Sequence, residues 1–282
     1  MTEIGNSSTG TRLEVPGTAG LTVTLAWAAV TDVGRRRQAN EDSYLAEPPI
    51  FAVADGMGGH LSGDIASAAV VDRLNQTVSG AFATTADIEN ALELASVDIG
   101  IVAGDSAIGV GTTVTGAVLT VAGSRPYFTV FNIGDSRVYQ FERNDLRQVT
   151  TDHSLVQELV DAGIISAAQA YDHPDGNIIT RAVGFEARPV PDYSLVPLRA
   201  GLRLLICSDG LTGELQDERL RLHFSAGLSP EATAGALVDA ALAAGGRDNV
   251  TVVVVDVVSV DEGLADDTAF EVTASEDTAP GS

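Results

Sequence analysis

Apolar and polar residues alternate over residues 21–25, with Leu21, Val23 and Leu25 set against Thr22 and Thr24, and Trp27 to Val30 continues the run. A strand is expected there. A polar loop from Asp32 to Asp42 follows, and Tyr44 and Leu45 lead into a second apolar run. Ile50, Phe51, Ala52, Val53 and Ala54 read as a buried strand that stops at Asp55, with Gly56, Gly58, Gly59 and Gly63 just beyond. Helical spacing then takes over. Ile65, Ala69, Leu74 and Val78 fall on one side of a helix over 64–78 capped by Ser62 or Asp64. Ile88, Leu92, Ala95 and Ile99 do the same from Thr85 or Asp87 to about Val102. Strands are predicted over 112–121, 127–133, 138–141 and 146–149, with a turn at Asn144 and Asp145. A short helix from Ser154 ends near Gly163. Residues 166–179 are mixed and polar, with a turn at Pro174 to Gly176, and form an insertion beside the core. A strand over 202–207 ends at Ser208, Asp209 and Gly210. A helix starts at Ser229 and Pro230 and runs to about Ala243. The loop Gly245 to Asn249 leads into a closing strand over 250–258, and there is no internal repeat.

Composition narrows the picture. The 282 residues suffice for one large domain or two small ones. With 45% hydrophobic but only 5% aromatic residues, the core must be built from Val, Leu, Ile and Ala. Residues 1–20, rich in Gly, Ser, Thr and Pro, are expected to be a disordered lead, and residues 262–282 a disordered acidic tail. The net charge is −23, and all 16 basic residues are arginine. Such a chain repels nucleic acid and anionic membranes and attracts cations and basic segments. No apolar run approaches the roughly 18 residues that cross a bilayer, and no apolar signal region opens the chain. A soluble, cytoplasmic protein is expected. The single Cys207 excludes an intramolecular disulfide.

One pattern carries chemistry. An apolar strand meets an aspartate beside a glycine or turn residue at Asp55, Asp135 and Asp209, and in mirror form at Asp248, where the loop precedes the strand. Four such carboxylates brought together would repel, and two divalent cations would relieve the repulsion. Hard oxygen ligands suit Mg²⁺ or Mn²⁺. Zinc fits poorly, since His60, His153, His173 and His223 show no paired ligand spacing and there is one cysteine. Each histidine taken singly reads as a surface or structural residue. Arg37, three and four residues before Asn40 and Glu41, suits a phosphate clamp, because a guanidinium holds two phosphate oxygens at once. Arg35 and Arg36 read as a solvated loop. A bimetal centre with an arginine clamp points to phosphoester hydrolysis, a metal-bridging water attacking phosphorus in line. Cysteine-based phosphatase chemistry is excluded, because the position six residues after Cys207 is Gly213 rather than arginine. A GxSxG elbow and a Walker-type loop are also missing.

The ordered blocks Arg37-x-x-Asn40-Glu41-Asp42, Asp55-Gly56-Met57-Gly58-Gly59-His60, Gly111-Thr112-Thr113, Gly134-Asp135-Ser136-Arg137, Ser208-Asp209-Gly210-Leu211 and Asp248-Asn249 resemble the metal-dependent protein phosphatases, the PPM or type 2C serine/threonine phosphatases, in their bacterial form. The resemblance covers roughly residues 22–260. It implies an α+β fold, a four-layer αββα sandwich of two antiparallel sheets flanked by helices, in a domain over 21–261. A flap lies at about 150–185. It also implies roles. Asp55 bridges two Mn²⁺ or Mg²⁺ ions and the Gly56 carbonyl binds one, Asp209 and Asp248 complete the other, and Glu41 and Asp42 act through metal-bound waters. Arg37 holds the substrate phosphate, and Asp135 with Asp209 forms a third metal site. Met57 stands where the animal enzymes carry the histidine proposed as general acid, so a metal-bound water or His153 near the flap is left for that role, and His60 does not inherit it. The resemblance implies phosphorylated protein substrates and an opposing serine/threonine kinase. No nucleic-acid or membrane partner is expected, and the chain is expected to be a monomer. A catalytically dead binding or scaffold protein of the same fold is the alternative, and the presence of Asp55, Asp209 and Asp248 argues against it. A small signalling protein or small phosphoester as substrate stays open.

Overall fold

The chain opens with two short strands, β1 (Glu3–Ile4) and β2 (Ser8–Glu14), and a long one, β3 (Thr22–Asp32). A hairpin of β4 (Asp42–Glu47) and β5 (Ile50–Met57) follows, then helices α1 (Gly63–Thr77) and α2 (Thr85–Ala103). Next come β6 (Gly111–Thr112), β7 (Val114–Ala122), β8 (Arg125–Ile133), β9 (Arg137–Glu142) and β10 (Asp145–Gln148). Helices α3 (Leu155–Asp161) and α4 (Ala167–Tyr171) precede β11 (Asp192–Pro197) and β12 (Arg203–Cys207). The order closes with α5 (Asp209–Thr212), α6 (Asp217–Ser225), α7 (Pro230–Ala244) and β13 (Val250–Asp261). This computed structural model describes residues 1–58, 62–77, 80–104, 109–171 and 173–262. His60, Val78 and residues 263–282, all given expectations above, lie outside the described residues.

Two sheets run β1-β4-β5-β7-β8-β11, with β6 beside β5, and β10-β9-β12-β13-β3-β2. All pairings are antiparallel except β1 beside β4. The continuous apolar runs follow from burial on both faces. In β5, Phe51 and Val53 point into the gap between the sheets, while Ile50, Ala52 and Ala54 face α1 and α2. In β13, Val253, Val255 and Val257 face the gap, while Val250, Val252 and Val254 face α6 and α7. Side chains two apart share a face, so both alternating sets must be apolar. Trp27 of one sheet meets Phe51 of the other edge-on, with centroids 5.4 Å apart. The layers are helix, sheet, sheet, helix, and each fully buried Val, Leu or Phe contributes about 1.5–3 kcal/mol of burial.

The structure departs from expectation at the start of the chain. Residues 1–20 are not a disordered lead. Glu3 and Ile4 pair with Tyr44 and Leu45, and β2 pairs with β3. Trp27 Nε1 donates to the Asn6 carbonyl at 2.8 Å, Tyr44 Oη to Glu3 at 2.9 Å, and Val15 is buried in the inter-sheet core. These are edge strands with half-exposed polar side chains, so their alternation is weak. The opening strand also runs past Asp55 to Met57, because Gly56 pairs with Thr112 and Met57 with Gly111. Within the flap, α3 and α4 have no buried residues, which matches their polar sequence.

Candidate metal centre

Register brings the acidic strand ends together. Asp42 stands opposite Asp55 across the β4–β5 pair. Asp209 follows β12, Asp248 precedes β13, and those two strands pair with each other. Asp135 follows β8. The Asp55 backbone is locked by the Gly111-Thr112-Thr113 segment. Thr113 N–H donates to the Asp55 carbonyl at 2.9 Å, and Asp55 N–H donates to Thr113 Oγ1 at 3.0 Å. Thr113 Oγ1 also lies 2.9 Å from Ser136 Oγ, the neighbour of Asp135. Gly56 is required by space. A Cβ there would lie 2.0 Å from the Gly63 carbonyl and 2.7 Å from that of Glu41.

The carboxylates are set deep and raise one another's pKa. Burial, and then Asp42, Asp209, Asp135 and Asp248, push Asp55 well above the usual carboxylate range. Burial and Asp248 raise Asp209, which lies within hydrogen-bond reach of Asp55. Asp135 is pushed up to about 8 by burial and by Asp209 and Asp152. Glu41 is raised by burial, against the opposing pull of Arg37. Asp42 is fully buried and does not line the cleft. Its Oδ2 accepts from Ser208 Oγ at 2.8 Å and Thr251 Oγ1 at 2.6 Å. Burial still lifts it to about 7. Its strength is therefore in tying the Asp209 turn to β4 and adding negative charge, rather than in facing solvent as a water-mediated ligand would.

Among the described residues no three His, Cys, Asp or Glu side chains close on one point. Asp42 Oδ2 and both Asp248 oxygens turn instead to protein donors. The donor set nevertheless fits hard divalent cations. It is all oxygen, and Asp209 Oδ1 is buried with no hydrogen-bond partner among the described residues. Cys207 is no alternative ligand or nucleophile, for burial pushes its thiol up to about 12.

Arg37 is half-exposed at the mouth, and its Nη2 donates to Asp248 Oδ2 at 2.6 Å. Its loop is held by a residue given no role from the sequence. Asn249 Nδ2 donates to the Val33 and Ala39 carbonyls at 2.9 Å each, and Asn249 Oδ1 accepts from Glu41 N–H at 2.8 Å. Only the adjacency of Asn249 to Asp248 hinted at this. Arg35 and Arg36 are exposed, as expected of a solvated loop. His153 is buried with both ring nitrogens engaged, Nδ1 by Gly134 N–H and Nε2 by Asp192, so it is not a free proton donor at the cleft.

A family profile described as protein phosphatase 2C matches residues 34–244. The chain is 40% identical over 260 residues to the serine/threonine protein phosphatase PstP of Mycobacterium tuberculosis, covering 87% of this chain and 47% of that protein. It is 38% identical over 239 residues to the serine/threonine phosphatase stp of Listeria welshimeri, covering 80% and 93%. The chain thus spans about half the length of the mycobacterial relative. The crystal structure of M. tuberculosis PstP/Ppp superposes with a TM-score of 0.76 at 37% identity, over 83% of this chain and 99% of that one. The PstP catalytic domain in complex with two manganese ions superposes at 0.74 and 36% identity, over 85% and 100%.

Proposed function

Because the chain belongs to the protein phosphatase 2C family, we propose that it is a Mn²⁺- or Mg²⁺-dependent phosphatase that removes phosphate from phosphoserine and phosphothreonine of proteins and opposes a serine/threonine kinase. The observation that carries this reading is the nest of mutually raised, partly unpartnered carboxylates beside an exposed arginine. Asp55, the Gly56 carbonyl, Asp209 and Asp248 would hold two ions, and Asp135 with Asp209 a third. Glu41 and Asp42 would stand behind them. Ions bound there neutralise the carboxylates and supply an acidified water as nucleophile toward phosphorus. The chain's own residues do the rest. The Thr112–Thr113 segment fixes the Asp55 backbone, and Asn249 fixes the loop that presents Arg37. Arg37 reaches the cleft mouth on the same side as Asp248, where a phosphate would exchange one anionic partner for another.

The purified protein should hydrolyse a phosphothreonine peptide and p-nitrophenyl phosphate with Mn²⁺ and stop with EDTA. No turnover with Mn²⁺ between pH 7 and 9 would end the proposal. Arg37→Ala should raise KM for the phosphopeptide about 10- to 100-fold, the loss of a charge-assisted contact, and lower kcat less. A kcat effect larger than the KM effect would remove the guanidinium from ground-state phosphate binding.

A further inference from the structure

His153 is joined to the turn that carries Asp135 by two bonds in one place. Its backbone N–H donates to the Gly134 carbonyl at 2.9 Å, and Gly134 N–H donates to its Nδ1 at 3.0 Å. The same Gly134 carbonyl also accepts from Asn132 Nδ2 at 3.0 Å, a bond within the turn itself. Gly134 has φ +113°, and a Cβ there would lie 2.6 Å from the Thr113 side chain, so the turn has no room to shift. A second link lies one residue before His153 and two residues after Asp135. Arg137 forks onto Asp152, with Nε–Oδ1 at 2.9 Å and Nη2–Oδ2 at 2.7 Å. Asp135 therefore sits between two crosslinks to the root of the flap.

The other end of the ring faces the start of β11. Because Gly134 N–H donates to Nδ1, the ring proton is on Nε2, a tautomer inferred from the hydrogen bonds. Nε2 then faces Asp192 Oδ2 at 3.0 Å, at the start of β11, as donor, and Arg181 Nη1 packs against the same nitrogen at 2.8 Å. Arg181, at the far end of the flap, donates from Nη1 to Asp192 Oδ1 at 2.9 Å and from Nη2 to the Val190 carbonyl. Thr180 N–H donates to the His153 carbonyl at 2.8 Å. One buried histidine, by ring and backbone, thus touches both ends of the flap, the edge strand and the Asp135 turn.

We infer that His153 is a positioning residue that couples the flap and β11 to the Gly134–Asp135 turn. The bracing itself needs only the metal-free fold, while its effect on cation binding rests on the function proposed above. Asn can keep an acceptor near the Nδ1 position, and Gln a donor near the Nε2 position. Hydrogen exchange read by mass spectrometry on the metal-free full chain separates the two links. His153→Ala should speed exchange about tenfold in both the 128–137 and 176–194 segments, each having lost a hydrogen bond. His153→Asn should speed only 176–194, and His153→Gln only 128–137. Asn and Gln variants that match each other, or match wild type, with unchanged circular dichroism, overturn the coupling. A Mn²⁺ titration followed by electron paramagnetic resonance tests the consequence. His153→Ala should weaken the weakest binding step about tenfold and leave tighter steps alone. A wild-type-like titration overturns the link to Asp135. If wild type binds no Mn²⁺ while the exchange pattern holds, the phosphatase reading falls and the brace stands.

Discussion

Asp209→Asn is expected to lower kcat at least about 10³-fold, the size of several kcal/mol of lost charge stabilisation, with Mn²⁺ present and substrate saturating. The side chain keeps its shape but loses a formal charge at the point where burial and Asp248 already press against it. The same change should leave the metal-free protein as stable as before or more so, since one member of a repelling cluster has been neutralised. Its buried, unpartnered Oδ1 makes this separation possible, because no protein hydrogen bond to that atom is lost. Steady-state kinetics and a thermal melt in EDTA read the two effects apart. Turnover within a few-fold of wild type would remove Asp209 from the centre. A large drop in melting temperature would mean that its charge is structurally compensated.

The second large effect is on stability against pH in the absence of metal. Asp42 at about 7 and Asp135 at about 8 are raised above the unfolded carboxylate value of about 4. A raised acid favours the folded state only while protonated. The stabilisation is therefore full below about pH 4 and is lost as pH climbs through 7 and 8. Carboxylates whose pKa is lowered act in the opposite sense below about pH 4, but Asp98, Glu218 and Asp192 are surface partners of Arg73, Arg221 and Arg181 and contribute little. The melting temperature of the EDTA-treated protein should fall by about 5–10 °C between pH 5 and 8, a few kcal/mol for a domain of this size. Millimolar Mn²⁺ or Mg²⁺ should return it at pH 8, since an ion that binds only the folded state stabilises by mass action. A flat melting curve over that range in EDTA would show that the cluster is already neutralised by protein groups.

How much of this could be read without coordinates depends on where each signal is stored. The core strands were legible because β5, β12 and β13 are apolar on both faces, which leaves long runs of small aliphatics. Asp55, Asp135, Asp209 and Asp248 were legible for the same reason, as charges that interrupt those runs at their ends. Edge elements were not. The strand β2 and the strand β11 are half-polar because only one side packs, and α6 buries little beyond Leu220 and Phe224. The burial of Asp42 was also hidden, since its partners Ser208 and Thr251 lie 166 and 209 residues away. The same holds for His153, whose nearest clue was its neighbourhood of the flap. Its partners Gly134, Arg181 and Asp192 are gathered only by the fold.

Asn249 has a thermodynamic consequence of its own. By bonding both ends of the loop 33–39 and Glu41, the residue before β4, it removes the loop's backbone freedom when the chain folds. Ordering a backbone residue takes about 1–2 kcal/mol of conformational entropy. Here that entropy is lost once, at folding, and not again each time an anion arrives. Binding at the cleft mouth then leaves the Arg37 side chain to move from Asp248 to the anion without ordering its loop, so more of the contact energy is expressed as affinity.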